Sequence, residues 1–206
     1  MNRIATAALA LALTAAACGG SDDGAPESGA APVDTTAAAV SAAPAPANGA
    51  APAAGAVTDP QIAAIVVAAN DVDIAAGQLA KERGSNAEVK AFAERMVTDH
   101  SGVNKAATDL VTRLGVTPEP NATSQKLTAD GEAARQRLQG QQGAAFDRAY
   151  IDQEVAYHQA VLDAIDQTLI PSAQNGELKA LLEQTRPAVQ AHLDHARQLQ
   201  TALGGA

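Results

Sequence analysis

Three stretches of this chain repeat their core-type residues at alternating spacings of four and three. They are Val89-Ala93-Met96-His100-Val103-Ala107-Leu110-Leu114, Ile151-Val155-His158-Leu162-Ile165-Leu169 and Leu178-Leu182-Thr185-Val189-His192-Ala196-Leu199-Leu203. That rhythm puts one stripe of side chains on one face of a helix and is incompatible with the two-residue period of a strand. An earlier stretch, Ile62-Ile65-Val66-Ala69-Val72-Ala76-Leu79, is helical in the same sense. The chain has 52 alanines in 206 residues and only 2% aromatics, so strong helix formers replace the β-branched and aromatic residues that sheets require. The pattern predicts an all-α protein.

Gly, Pro and capping residues divide the pattern. The first helix is expected to open on Asp59 as its cap with Pro60 behind it, and to end at Arg83 before Gly84. Ser85 with Glu88 reads as a capping box for a second helix running to Leu114. Pro118 and Pro120 mark a loop, and a shorter helix follows over Ser124–Gln139. The fourth is expected over about 144–170, stopping at Pro171, and the last over Glu177–Leu203. A tight pair, a long crossover holding the short helix, and a second tight pair make the ferritin-like four-helix connection pattern, with a simple five-helix up-and-down bundle as the alternative.

The segments before residue 59 have a different character. Arg3 precedes an apolar run of signal-peptide length, too short to span a bilayer. It ends Ala15-Ala16-Ala17-Cys18-Gly19-Gly20, around the one cysteine of the chain. Small residues before a lone Cys resemble a bacterial lipoprotein signal, with Ala15 where Leu is usual. The resemblance implies removal of residues 1–17, lipidation of Cys18 and a membrane contact through the lipid anchor, since several acyl chains hold a protein stably where one does not. Gly19 rather than Asp after the Cys leans towards the outer membrane. An ordinary cleaved signal is the alternative. Residues 18–58 are a tether: Gly19–Thr58 holds 15 Ala, 6 Gly and 5 Pro with no Lys or Arg, too little apolar surface to offset ordering entropy.

Function classes narrow in turn. A net charge of −9 leaves no electrostatic footprint for nucleic acid. A single Cys excludes an intrachain disulfide framework, and no Gly-rich phosphate loop, Ser nucleophile elbow or Cys nucleophile stands in the domain over 59–204. What stands out is histidine. The chain has four, and His100, His158 and His192 each occupy a core position of a different helix within about two residues of its midpoint, so antiparallel packing brings them to one level. The first helix offers Asp71 or Asp73 at that level, and Glu154 lies one turn before His158. His195 falls off the stripe and is expected in solvent. Buried imidazoles need partners, so the layer is either a polar stripe bonded within itself or a transition-metal site of His100, His158, His192, Asp73 and Glu154, taking Zn, Cu, Fe or Mn. Phe92, Met96, Phe146, Tyr150 and Tyr157 read as core filler, and Pro187 as a kink before His192.

Gly77-Gln78-Leu79-Ala80, Val89-Lys90-Ala91-Phe92-Ala93, Met96-Val97-Thr98-Asp99-His100, Phe146-Asp147 with Tyr150 and His158, and Pro187 before His192 stand in an order that resembles the bacterial domain-of-unknown-function family 4142. Many of its members carry the label outer membrane or periplasmic protein. The resemblance covers residues 59–204 and implies a ferritin-like bundle, but no catalytic residue, because the family has no agreed activity. Ferritin-like di-iron sites use Glu-x-x-His pairs. No Glu stands three residues before His100, His158 or His192 here, which argues against ferritin-type iron oxidation. The leading expectation is a lipid-anchored, non-enzymatic or stress-related protein of the cell envelope with a buried His layer. The alternatives are a periplasmic metal-binding protein or metal-dependent oxidoreductase, and a module that binds a protein partner.

Overall fold

The computed structural model describes residues 57–204; the signal segment, Cys18 and the tether up to residue 56 lie outside them. The elements are α1 (Asp59–Arg83), α2 (Ala87–Leu114), α3 (Ala122–Gln139), α4 (Gly143–Ala164), a π-helical segment (Ile165–Leu169), α5 (Ile170–Ser172) and α6 (Gly176–Gly204). No strand occurs among the described residues. The protein is an all-α bundle, as the apolar rhythm requires.

The helix starts differ from the sequence expectation, for a common reason. Asp59 does not cap α1. Thr58 does, in a reciprocal capping box with Gln61, while the Asp59 carboxylate accepts from Gln174 N and Asn175 N, both at 2.9 Å, and ties the α5–α6 loop to the start of α1. Ser85 does not cap α2 either. Asn86 accepts from Glu88 N at 2.8 Å, and Ser85 instead gives its amide and hydroxyl to Asp147 at the start of α4, with Asn86 N as a third donor. Asp147 is 1% exposed, and a buried carboxylate recruits every donor in reach. α3 begins two residues early, at Ala122, because Asn121 and Ser124 form its box. The fourth helix does not stop at Pro171. Its last turns widen into the π segment, and α5 carries the helical path through Pro171 to Ser172. Proline lacks an N–H and crowds the carbonyl four residues back, and a wider turn relieves both. α6 runs unbroken through Pro187.

Helices α1, α2, α4 and α6 form the bundle, with α1 against α2 and α4, and α6 against α2 and α4. α3 spans the crossover between α2 and α4 and lies on the outside of α1, where Gly131 meets Val72 so closely that a Cβ there would stand 2.5 Å from it. This is the tight pair, long crossover and tight pair that the loop lengths suggest, with the short helix in the crossover. The five-helix up-and-down alternative places α3 inside the bundle, and the structure does not. α1 is long and apolar enough to cross a membrane, yet it serves here as a core helix and buries Asn70 and Asp73.

The apolar core is in two blocks. One gathers Ile62, Leu110, Leu162, Leu182 and Leu193, and the other Phe92, Met96, Phe146, Tyr150 and Ile151. Phe92, Met96, Phe146 and Tyr150 are wholly buried, and Tyr157 is half-buried with its hydroxyl donating to Ala69 O at 3.0 Å. Between the blocks lies a layer of buried polar side chains.

A buried ring of three imidazoles

That layer holds His100 from α2, His158 from α4, His192 from α6, and Asn70 and Asp73 from α1, with Glu154 one turn before His158. All six are at most 5% exposed. The imidazole centroids form a near-equilateral triangle with sides of 5.3, 5.4 and 5.6 Å. Of the two aspartates at this level of α1, Asp73 faces inward, its Oδ2 3.4 Å from His100 Nε2, whereas Asp71 is exposed and accepts from Asn104 at 2.7 Å. His195 is not in open solvent: it is half-buried, edge-on to Phe92 at 5.2 Å between centroids.

Each ring of the triangle is held by one nitrogen. The Asn70 amide donates to Val66 O at 2.9 Å, which turns its Oδ1 towards His100 Nδ1 at 2.7 Å. An oxygen acceptor there requires that Nδ1 carry hydrogen and leaves the lone pair on Nε2. His158 Nδ1 donates to the Glu154 carbonyl at 3.0 Å, with Glu154 Oε2 at 3.3 Å, and His192 Nε2 donates to Asp99 Oδ2 at 2.9 Å. The opposite nitrogens, His100 Nε2, His158 Nε2 and His192 Nδ1, have no hydrogen-bond partner among the described residues. Ligand atoms of the three histidines lie within 4.8 Å of one another, and the same holds for Asp73, Glu154 and His158.

Electrostatics divide the rings. Burial, then the charges of His158 and His192, pushes His100 down to about 3, and burial also lowers His192 against the pull of Asp99. Burial acts downward on His158 too, but Asp73 and Glu154 outweigh it and raise the ring to about 9. Asp73 is held well above the carboxylate range by burial and by the charge of Glu154, against the pull of His158. Burial acts upward on Asp99, yet its bonds from His192 and Arg95 bring it down.

Asn70 is not titratable and Asp99 lies off the apolar stripe of its helix, so neither stands out as a candidate in the sequence. Both left a trace in the sequence: Asn70 is a polar residue on the apolar face of α1, three before Asp73, and Asp99 directly precedes His100.

A four-helix bundle that gathers three imidazoles, two carboxylates and an amide into one sealed layer belongs to the class of helical proteins that keep a polar site in the bundle core. Within that class, the family model described as "Domain of unknown function (DUF4142)" matches residues 43–199, and the chain belongs to this family. No curated protein and no solved structure matches the chain.

Proposed function

We propose that this is a lipid-anchored protein of the cell envelope whose bundle holds one divalent transition-metal ion on His100, His158 and His192, with the Asp73 carboxylate beside them. The observation that carries the metal reading is the gathering of three buried imidazoles, with ligand atoms within 4.8 Å of one another, each ring fixed through one nitrogen and left with an unpartnered second one. Leaving such atoms unpaired costs about 1–3 kcal/mol apiece, which an ion would remove. The spacing suits an ion of first-row size. A metal–nitrogen bond of about 2.0–2.1 Å sets each ring centroid about 3.2 Å from the ion, so ligands about 109–120° apart have centroids about 5.2–5.5 Å apart. The observed sides are 5.3–5.6 Å. Asp73 Oδ2 stands 3.4 Å from His100 Nε2, near enough to offset part of an ion's charge and long for a hydrogen bond.

Glu154 then serves behind His158, as Asn70 and Asp99 serve behind the other two rings, in the manner of outer-shell groups that fix tautomer and orientation. Two buried carboxylates, Asp73 and Glu154, balance a divalent charge. The three histidines form one cluster of ligand atoms and Asp73, Glu154 and His158 a second that shares His158, so the imidazoles supply the ligands and the two acids stand beside them. By the ordinary affinity order Cu and Zn compete best for such a site over Fe and Mn.

A polar layer without metal is the second reading. It is supported by the contact of His158 with Glu154 at 3.3 Å and by the proton that the ring retains to about 9. Elemental analysis after loading the purified protein in turn with Zn, Cu, Mn and Fe separates the two. One ion per chain is expected for at least one metal, and substoichiometric content for all four overturns the metal reading. The anchor is tested separately: labelled palmitate should mark the wild type and not Cys18→Ala.

A further inference from the structure

Resting on that metal reading, we propose that the ion reaches the site along the α2–α6 seam, where Asp99 is its first contact and Arg95 a gating residue that controls access. The groups around the ring are sealed: the three imidazoles, Asn70, Asp73 and Glu154 are at most 5% exposed. Asp99 is the member of this network that reaches solvent. Its side chain is 38% exposed, and the same Oδ2 that accepts from His192 at 2.9 Å is 3.3 Å from Arg95 Nε.

The other seams are fastened near this level by groups outside the ring. Tyr157 bonds Ala69 O across α1–α4, Asn104 bonds Asp71 across α1–α2, and Arg197 bonds Gln159 across α4–α6. Along α1–α2 the backbones also close in at Gly77, where a Cβ would stand 3.0 Å from Ala93 O. Across α2–α6, among the described residues, the side-chain hydrogen bond at this level is the Asp99–His192 contact itself. Its two ends are an exposed carboxylate that attracts cations and an imidazole that would ligate one. When the contact opens, it uncovers the ring. When it closes, it restores the His192 tautomer with its Nδ1 lone pair inward. The Arg95 guanidinium works against entry in two ways, occupying the Asp99 carboxylate and placing a positive charge at the mouth.

Stopped-flow uptake of Co2+ by the purified full chain at low ionic strength, followed by the visible absorption of tetrahedral Co2+, tests this. Arg95→Ala is expected to speed association by about three- to ten-fold with unchanged stoichiometry, a gain that shrinks as salt screens the mouth. Asp99→Ala is expected to slow association and hasten loss of the ion to a chelator. Lys126→Ala, the same charge change on α3, and Asp71→Asn, on the α1–α2 seam, are expected to stay within twofold of the wild type. An Arg95→Ala rate within twofold of the wild type, or an equal gain in either control, overturns the mouth. Wild-type protein that takes up no Co2+ but fills with another of the metals is tested with that metal. Wild-type protein that takes up none overturns the metal reading and the mouth with it.

Discussion

His100, His158 and His192 are each oriented by a different kind of acceptor: an amide oxygen, a backbone carbonyl and a carboxylate. Replacing Asn70 by Ala removes the acceptor for His100 Nδ1 without touching a ligand. The expected result is a metal affinity about 10- to 100-fold weaker, measured by competition with a chelator, and a fold weaker by about 1–3 kcal/mol in urea. The metal-free protein should also show the charge division among the rings. An unfolded His loses its proton near 6.5, whereas folded His158 keeps it to about 9. The folded state therefore binds more protons across that window, and stability falls as pH rises through it, by on the order of 3 kcal/mol at most. The raised Asp73 acts in the same sense, and the lowered His100 and His192 cost stability as pH falls below 6.5. Urea midpoints across this range check the sign, and a midpoint that rises from pH 6.5 to 9 contradicts the assignment. At this scale the histidines were legible because each breaks an apolar stripe at a regular position. Asn70 and Asp99 were not, because their roles depend on which ring nitrogen faces them across a seam.

The elements are held at their ends by contacts that cross between helices. Asp147 on α4 gathers donors from Ser85 and Asn86 at the α1–α2 turn, and Asp59 on α1 gathers two amides from the α5–α6 loop. Asp147→Ala leaves those donors without their acceptor and should cost about 3 kcal/mol in urea unfolding, while metal bound per folded chain stays unchanged. α3 offers a separate test. A Cβ at Gly131 would meet Val72 side-chain atoms at 2.5 and 2.8 Å, so Gly131→Val should lift α3 from α1 and speed its amide exchange ahead of the rest of the bundle. Helix existence and approximate length were readable from periodicity and breakers. The caps at Asp59 and Ser85 are not legible in the sequence, because a cap is a local pattern and both side chains find partners more than sixty residues away. Pro171 misled in the same direction, since a π turn is a geometric remedy with no residue code of its own.

Across the whole molecule, the polar layer divides the apolar core into two blocks and draws a residue from each of α1, α2, α4 and α6. An ion held on the three histidines, as proposed, would clip α2, α4 and α6 together. Binding should therefore raise the stability of the bundle as one unit, by about 2.7 kcal/mol at a free-metal concentration of 100 Kd, read as a concentration-dependent rise in Tm. A Tm that is unmoved while metal is bound would mean that the ion binds the unfolded chain as well as the folded one, and so does not depend on the assembled layer.

By itself the sequence determined that the chain forms long helices, that a short one fills the crossover, and that three histidines lie near one level. Those are consequences of period, breakers and length, all of which are local. Only the tertiary structure decided which aspartate of α1 turns inward, which nitrogen of each ring is tied back, and that the three rings meet in one triangle. These depend on helix rotation and on ångström-scale contacts between residues 30 to 93 positions apart, which no local pattern encodes.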